Sequence, residues 1–247
     1  MTPEELVASA CPRIGGLGSA FYFVPETLAA GEALGLDPFR FYFLGRGGVL
    51  GDVEARVVAS AFGYFEPSLV KTMWESGRET VAPRDAGRAY LECCRELGRR
   101  RFAGLSGLDS FCASAENVVA AADPAGLALY AGISAEPLPD DLPARAMQLV
   151  AVLREYRGSV HLLAVLASGL EPRTAHYMRR PNDLALFGWP ADQPPEVTEA
   201  DRKALAVADA LTDRLVLDAF AVIEPGRRDI FVLGLAAMET ALSAPEA

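Results

Sequence analysis

Residues 145–170 read RAMQLVAVLREYRGSVHLLAVLASGL. On a 3.6-residue period the apolar side chains surround this stretch instead of forming one stripe, which predicts a helix buried on nearly all sides at the centre of a bundle. Yet the same stretch carries Arg154, Glu155, Arg157 and His161 at mid-length. Spacings of three and four residues put Arg154, Arg157 and His161 on one face, and Gly158 leaves a gap beside them. Burying such charges unpaired costs several kcal/mol, so they need partners. Carboxylates such as Glu26 or Glu66 could supply them and merely fasten the bundle. Two arginines, a histidine and a glycine on one buried face point instead to an anion site.

The rest of the chain reads as further helices around this one. Proline follows a capping or turn residue at Asp37-Pro38, Asp123-Pro124 and Glu171-Pro172, each before a stretch of helical period. Residues 84–101 form an amphipathic helix with Ala89, Cys93, Leu97 and Phe102 near one face, and the closing Arg99-Arg100-Arg101 suits the negative end of its dipole. Residues 184–197 carry Pro190, Pro194 and Pro195 and read as a loop. Thr198, with Asp201 three residues on, caps a helix that runs through Phe220, and Gly226 opens a last helix to about Leu242. No run of alternating period is followed by a hairpin turn. The expected fold is all-α: a helical bundle around a long buried central helix over residues 1–170, then a smaller winged-helix-like helical part over 171–247.

Composition narrows the function classes. In 247 residues, 51% are hydrophobic, ample for a packed core, and the net charge of −10 repels a phosphate backbone unless a local basic face offsets it. Cys11, Cys93, Cys94 and Cys112 show neither a CxxC pair nor metal-ligand spacing and read as free thiols of a reducing compartment. The start, MTPEELVASACPRIGG, has no signal-peptide pattern, and no apolar run is long enough to span a membrane, so the expected location is the cytoplasm. IGGLGSAF (14–21) and LGRGGVLG (44–51) lack a preceding strand and the phosphate-loop Lys-Ser/Thr, and read as helix ends and tight connections. Arg46, between an aromatic helix and a glycine turn, can still enter a cavity. His161 and His176 are the two imidazoles, fifteen residues apart with no flanking carboxylate motif. His176 is a secondary candidate, and neither metal nor organic cofactor is expected.

Four segments carry a resemblance: FYFVPE at 21–26, FYFLGRGG at 41–48, FGYFEP at 62–67 and LREYRGSVH at 153–161. Together they resemble a family of actinobacterial proteins labelled helix-turn-helix, similar to this chain over most of its length. The resemblance implies a helical bundle followed by a winged-helix-like part. The family motif runs Leu-Arg-Glu-His-Arg-Gly-Asp-Gly-His; Arg154, Glu155, Arg157, Gly158 and His161 match it, while Tyr156, Ser159 and Val160 depart. The proline loop at 189–195 stands where more regular structure would belong, so the winged part is expected to be degenerate. The chain is also similar in general character to the aziridine-forming, sulfate-eliminating enzyme of azinomycin-type pathways.

Three functional readings follow. The first is a cofactor-independent enzyme of secondary metabolism that acts on an anionic small molecule, with Arg154, Arg157, Arg46, Tyr22 and Tyr64 binding the substrate and His161 or Glu26 accepting a proton. The second is a ligand-responsive regulator. It is disfavoured because residues 198–223 set Arg202, Lys203 and Arg214 against Glu199, Asp201, Asp209, Asp213 and Asp218. The third is a resistance protein that sequesters a toxic product. A homodimer or a pathway partner protein is compatible with each.

Overall fold

The computed structural model describes residues 1–245, and among them there are twelve α-helices and no strands. In chain order these are α1 (Pro3–Leu17), α2 (Pro25–Ala33), α3 (Pro38–Gly47), α4 (Ala55–Phe62), α5 (Pro67–Arg78), α6 (Pro83–Phe102), α7 (Leu108–Ala121), α8 (Ala128–Ser134), α9 (Leu142–Ala167), α10 (Pro172–Arg179), α11 (Glu199–Ala221) and α12 (Pro225–Ser243). The helix of the opening stretch, α9, is the axis: α1, α6, α7, α8, α10 and α11 all pack on it. Every residue from Ala146 to Leu153 is buried, so this part of the helix is enclosed on all sides, whereas Gly158, Leu163 and Leu166 further along it are exposed. The all-α expectation therefore holds.

Local chemistry starts these helices, at Asp37 and Thr198 where the sequence indicates. Thr2 and Thr198 form full capping boxes with Glu5 and Asp201. Asp37 accepts from the Phe39 and Arg40 amides, and Asp141 from Ala144. One start is displaced. Asp123-Pro124 lies in a turn in which the Asp123 side chain accepts from the Ala125 amide at 2.9 Å, and the helix begins only at Ala128, past a left-handed Gly126. In α6 the buried face runs through Tyr90, Cys94, Leu97 and Phe102, one residue beyond Ala89 and Cys93, which are half-buried.

The C-terminal helices join the same core. Val216 and Phe220 of α11 and Phe231, Leu235 and Met238 of α12 belong to one apolar cluster with α1, α7 and α9. Among the described residues no β-wing accompanies them, and no helix is long and apolar enough to cross a membrane. A second, smaller cluster, Ala164, Val165, Leu170, Ala175 and Ala208, fastens α10 and α11 to the end of α9 with Tyr64 against it.

Close backbone approach fixes where Arg46 stands. At Gly48, just after α3, a Cβ would lie 2.1 Å from the Pro83 carbonyl oxygen and 2.9 Å from the Gly87 backbone, so the end of α3 meets α6 backbone to backbone. Backbone cannot swing aside as a side chain can. Gly48→Ala is expected to cost about 1–3 kcal/mol or more in chemical denaturation, as overpacking of a tight interior does.

Candidate functional site

The polar residues of α9 open onto a cavity of about 470 Å³ bounded by α1, α3, α9, α10 and the turn between α4 and α5. Five arginines line it: Arg46 from α3, Arg154 and Arg157 from α9, Arg179 at the end of α10 and Arg180 just after it. His161 and His176 add two imidazoles, and Glu155 is the one carboxylate in the wall. Glu155, Asp213, Asp209 and Asp183 pair with these arginines, so five guanidiniums against four carboxylates leave one positive charge in excess on a chain of net charge −10. At Gly158, Gly15 and Gly16 an added Cβ would meet nothing within 4 Å. The gap expected beside Gly158 is therefore present, and two glycines of α1 extend it.

The inner wall is an ion cluster built on Glu155. Arg46 holds Glu155 with both arms of its fork, Nε to Oε1 and Nη2 to Oε2, each at 2.8 Å. Its Nη1 donates to the Tyr42 hydroxyl at 3.0 Å, and its guanidinium lies 4.5 Å over the Phe62 ring. Glu155 Oε1 also accepts from Arg154 Nη1 at 2.8 Å and from the Tyr22 hydroxyl at 3.1 Å. Burial alone would raise the Glu155 carboxyl, but Arg46 and Arg154, with these hydrogen bonds, overrule it and hold the group at about 2. It stays ionised and accepts four hydrogen bonds, three of them at Oε1. Two guanidiniums against one carboxylate leave the cluster one positive charge in excess.

The outer wall is less fully paired. Arg157 reaches Asp213 of α11 at 3.4 Å through Nη2, while its Nε is buried without a partner. Arg179 pairs with Asp209 of the same helix. The Tyr64 hydroxyl and His176 Nε2 are likewise buried and unpartnered, and both line the cavity. Buried polar atoms are nearly always satisfied, and among the described residues three of the five side-chain atoms buried without a partner lie around this cavity, the other two being the Tyr90 hydroxyl and Arg173 Nε. Burial lowers the His161 proton affinity, and Arg157 lowers it further. At neutral pH the ring is uncharged and can accept a proton.

Tyr64 owes its position to backbone geometry. Gly63 ends α4 in a left-handed conformation, φ 57°, against the Leu162 side chain, and turns the chain so that Tyr64 faces α9 with its ring 6.5 Å from His161. The loop before α11 holds this turn from outside. The Glu66 amide donates to the Phe187 carbonyl at 2.8 Å, Trp189 Nε1 donates to the Tyr64 carbonyl at 2.9 Å, and Phe187 stacks on Phe65 at 4.0 Å.

Of the residues singled out from sequence, Arg46, Arg154, Arg157, His161, Tyr64 and also His176 meet in this cavity. Two do not. Glu26 lies exposed on α2, ion-paired with Arg100, and cannot accept a proton from anything bound here. Tyr22 sits behind the wall, its ring under Arg154 at 4.9 Å and its hydroxyl on Glu155, so it supports the cluster instead of touching a ligand. Nor does Glu66 partner an arginine; it accepts from the Leu69 amide as the N-cap of α5. The residue that sequence reasoning passed over is Glu155. On α9 it points about 100° away from Arg154, and its bidentate partner comes from 109 residues earlier. Only the unlikelihood of a lone buried carboxylate hinted at a role. Arg179 and Arg180 carried no signal beyond a common basic helix end.

Among the described residues no group of three or more His, Cys, Asp or Glu is arranged to hold a metal, and the four cysteines are free. Searches of curated proteins and of solved structures give no match. A family model does match, over residues 8–185, a span that includes every arginine and both histidines of the cavity: the chain belongs to a helix-turn-helix family.

Proposed function

We propose that the chain is a cofactor-independent enzyme that acts on an anionic small molecule by elimination or cyclisation with loss of a sulfate- or phosphate-type leaving group. The observation that supports this reading is the cavity itself, which five arginines and two histidines line, with the four carboxylates Glu155, Asp213, Asp209 and Asp183 as the arginines' partners. A guanidinium fork helps most where charge grows on a departing oxygen, and a partly buried wall strengthens that effect over water. In the cyclising form, an amine nitrogen of the substrate attacks the carbon that bears the ester. The carbon–oxygen bond breaks, the electron pair leaves with the sulfate or phosphate held by Arg154 and Arg157, and the nitrogen's proton passes to His161. Closure of the nitrogen onto the adjacent carbon in this way would give an aziridine.

Incubation with aminoalkyl sulfate or phosphate esters, followed by mass spectrometry, tests the reading through loss of the anionic group. Arg157→Lys keeps the charge but loses the fork, and turnover should fall about ten-fold with the fold intact. His161→Asn should lower turnover by about a hundred-fold or more and remove the acid limb of the pH profile. Because the neutral ring is the active form and its proton affinity is depressed, that limb is expected below the ordinary imidazole value of 6.5.

Membership of a helix-turn-helix family favours a second reading, a ligand-responsive regulator. Helices α4 and α5, joined by a four-residue turn with a left-handed glycine, have the proportions of that motif. The solvent face of α5, however, presents Ser68, Lys71 and Thr72, with Lys71 paired to Glu75, which is little charge for a phosphate backbone. Retention of promoter DNA by the purified protein would favour the regulator. Tight binding of a pathway intermediate with no change of mass would favour a sequestering protein.

A further inference from the structure

His161 is one hydrogen bond away from a residue outside the family match. Thr212 of α11 is fully buried, and its Oγ1 lies 2.7 Å from the Ala208 carbonyl oxygen one turn back and 3.0 Å from His161 Nδ1. A hydroxyl has one hydrogen. If it pointed at Nδ1, two acceptor oxygens would face each other at 2.7 Å with nothing between them; pointed at Ala208, it satisfies that carbonyl and leaves Oγ1 a lone pair. Nδ1 must then carry the hydrogen and donate it to Thr212. The Asp209 carboxylate, 4.0 Å from Nδ1, favours the same arrangement.

In the neutral ring this leaves the lone pair on Nε2. No described residue offers Nε2 a hydrogen bond, and the ring lines the cavity. The groups around it are Arg157 on its own helix, Arg179 and His176 of α10, Asp209 and Asp213 of α11, and the Tyr64 ring across the cavity.

We propose that Thr212 is a positioning residue that locks His161 as the Nδ1–H tautomer, so that the cavity selects a ligand with an ammonium or hydroxyl donor for Nε2 beside an anionic group for the arginines. The ligand half of this proposal rests on the anion reading of the cavity; the tautomer half does not.

Nitrogen-15 NMR of the imidazoles in the full chain tests the tautomer directly, because His161 and His176 are the two histidines and His176→Asn assigns the remaining signals. Above the titration of His161, Nδ1 should be protonated and Nε2 bare. Thr212→Val keeps the shape but cannot accept, and should shift the ring toward Nε2–H; Thr212→Ser should restore Nδ1–H. A wild-type ring protonated on Nε2, or an unchanged tautomer in Thr212→Val, overturns the lock, and the wild-type spectrum decides even if the valine variant does not fold. Calorimetry with 2-aminoethyl sulfate and ethyl sulfate tests the ligand half. The amine should bind about ten-fold tighter to the wild type, with the preference lost in Thr212→Val and kept in Thr212→Ser. Equal affinities would overturn the donor assignment alone. Binding of neither sulfate would overturn the anion reading and the ligand half with it, while the NMR result would stand.

Discussion

Glu155→Gln is expected to destabilise the protein by about 3–5 kcal/mol, which lowers the melting temperature by roughly 10 °C in a chain of this size. The carboxylate it removes is the shared acceptor of Arg46 and Arg154 and takes a fourth bond from Tyr22. Glutamine fills the same space, so the loss is not one of packing. It leaves two guanidiniums in an apolar, aromatic wall with no counter-charge, and the cost is that of an uncompensated buried ion. Arg46→Met in the glutamine background should therefore cost less than Arg46→Met in the wild type, with a coupling of at least about 1 kcal/mol between the sites.

The same carboxylate makes a pH prediction whose sign is fixed. Its folded value, about 2, lies below the ordinary 4.5. The unfolded chain thus binds the proton more readily, and the stabilisation is fully present above the unfolded value and is lost as pH falls from there toward the folded one. Denaturation midpoints between pH 5 and pH 2 should fall less steeply in Glu155→Gln than in the wild type. Equal slopes would mean that the cluster is not ionised as the geometry requires.

What was legible in the sequence, and what was not, divides along the range of the interactions. Helix starts at Asp37, Glu171 and Thr198 depend on residues three apart or nearer, and the central place of α9 follows from apolar residues on every side of it. The shared face of Arg154, Arg157 and His161 is likewise a property of one helix. Partners are not. Glu26 was a reasonable acid for the site on charge grounds, but α2 packs against α3 and α6 and presents it to Arg100 at the surface. Thr212 lies 51 residues from the histidine it holds, within a helix whose acidic composition spoke only against DNA. The Asp123-Pro124 start failed for a local reason: the aspartate side chain closed a turn on its own backbone and postponed the helix by four residues.

Gly158→Leu is expected to weaken ligand binding while leaving the fold at least as stable as the wild type. Glycine in the middle of a helix costs about 0.5–1 kcal/mol relative to alanine, because the unfolded chain loses more freedom there. Position 158 lies well inside the 26-residue α9, has ordinary helical backbone, and would accept a Cβ with nothing within 4 Å. Packing therefore gives no reason for glycine here, in contrast to Gly48, which faces the Pro83 carbonyl at 2.1 Å. Gly158→Ala should raise stability by about 0.5–1 kcal/mol, a gain open to any sequence that did not need the space. A leucine side chain reaches further, into the volume between Arg154, Arg157 and His161 where the anionic ligand is proposed to sit. Affinity for that ligand should then fall by up to about a hundred-fold, since an anion deprived of one charge-assisted fork loses about 1.5–3 kcal/mol. The pairing of outcomes is what carries the test. A stable Gly158→Leu protein that binds its ligand as the wild type does would place the ligand elsewhere, whereas a stable protein that has lost binding would show that α9 gives up helix stability at this position to keep the cavity open.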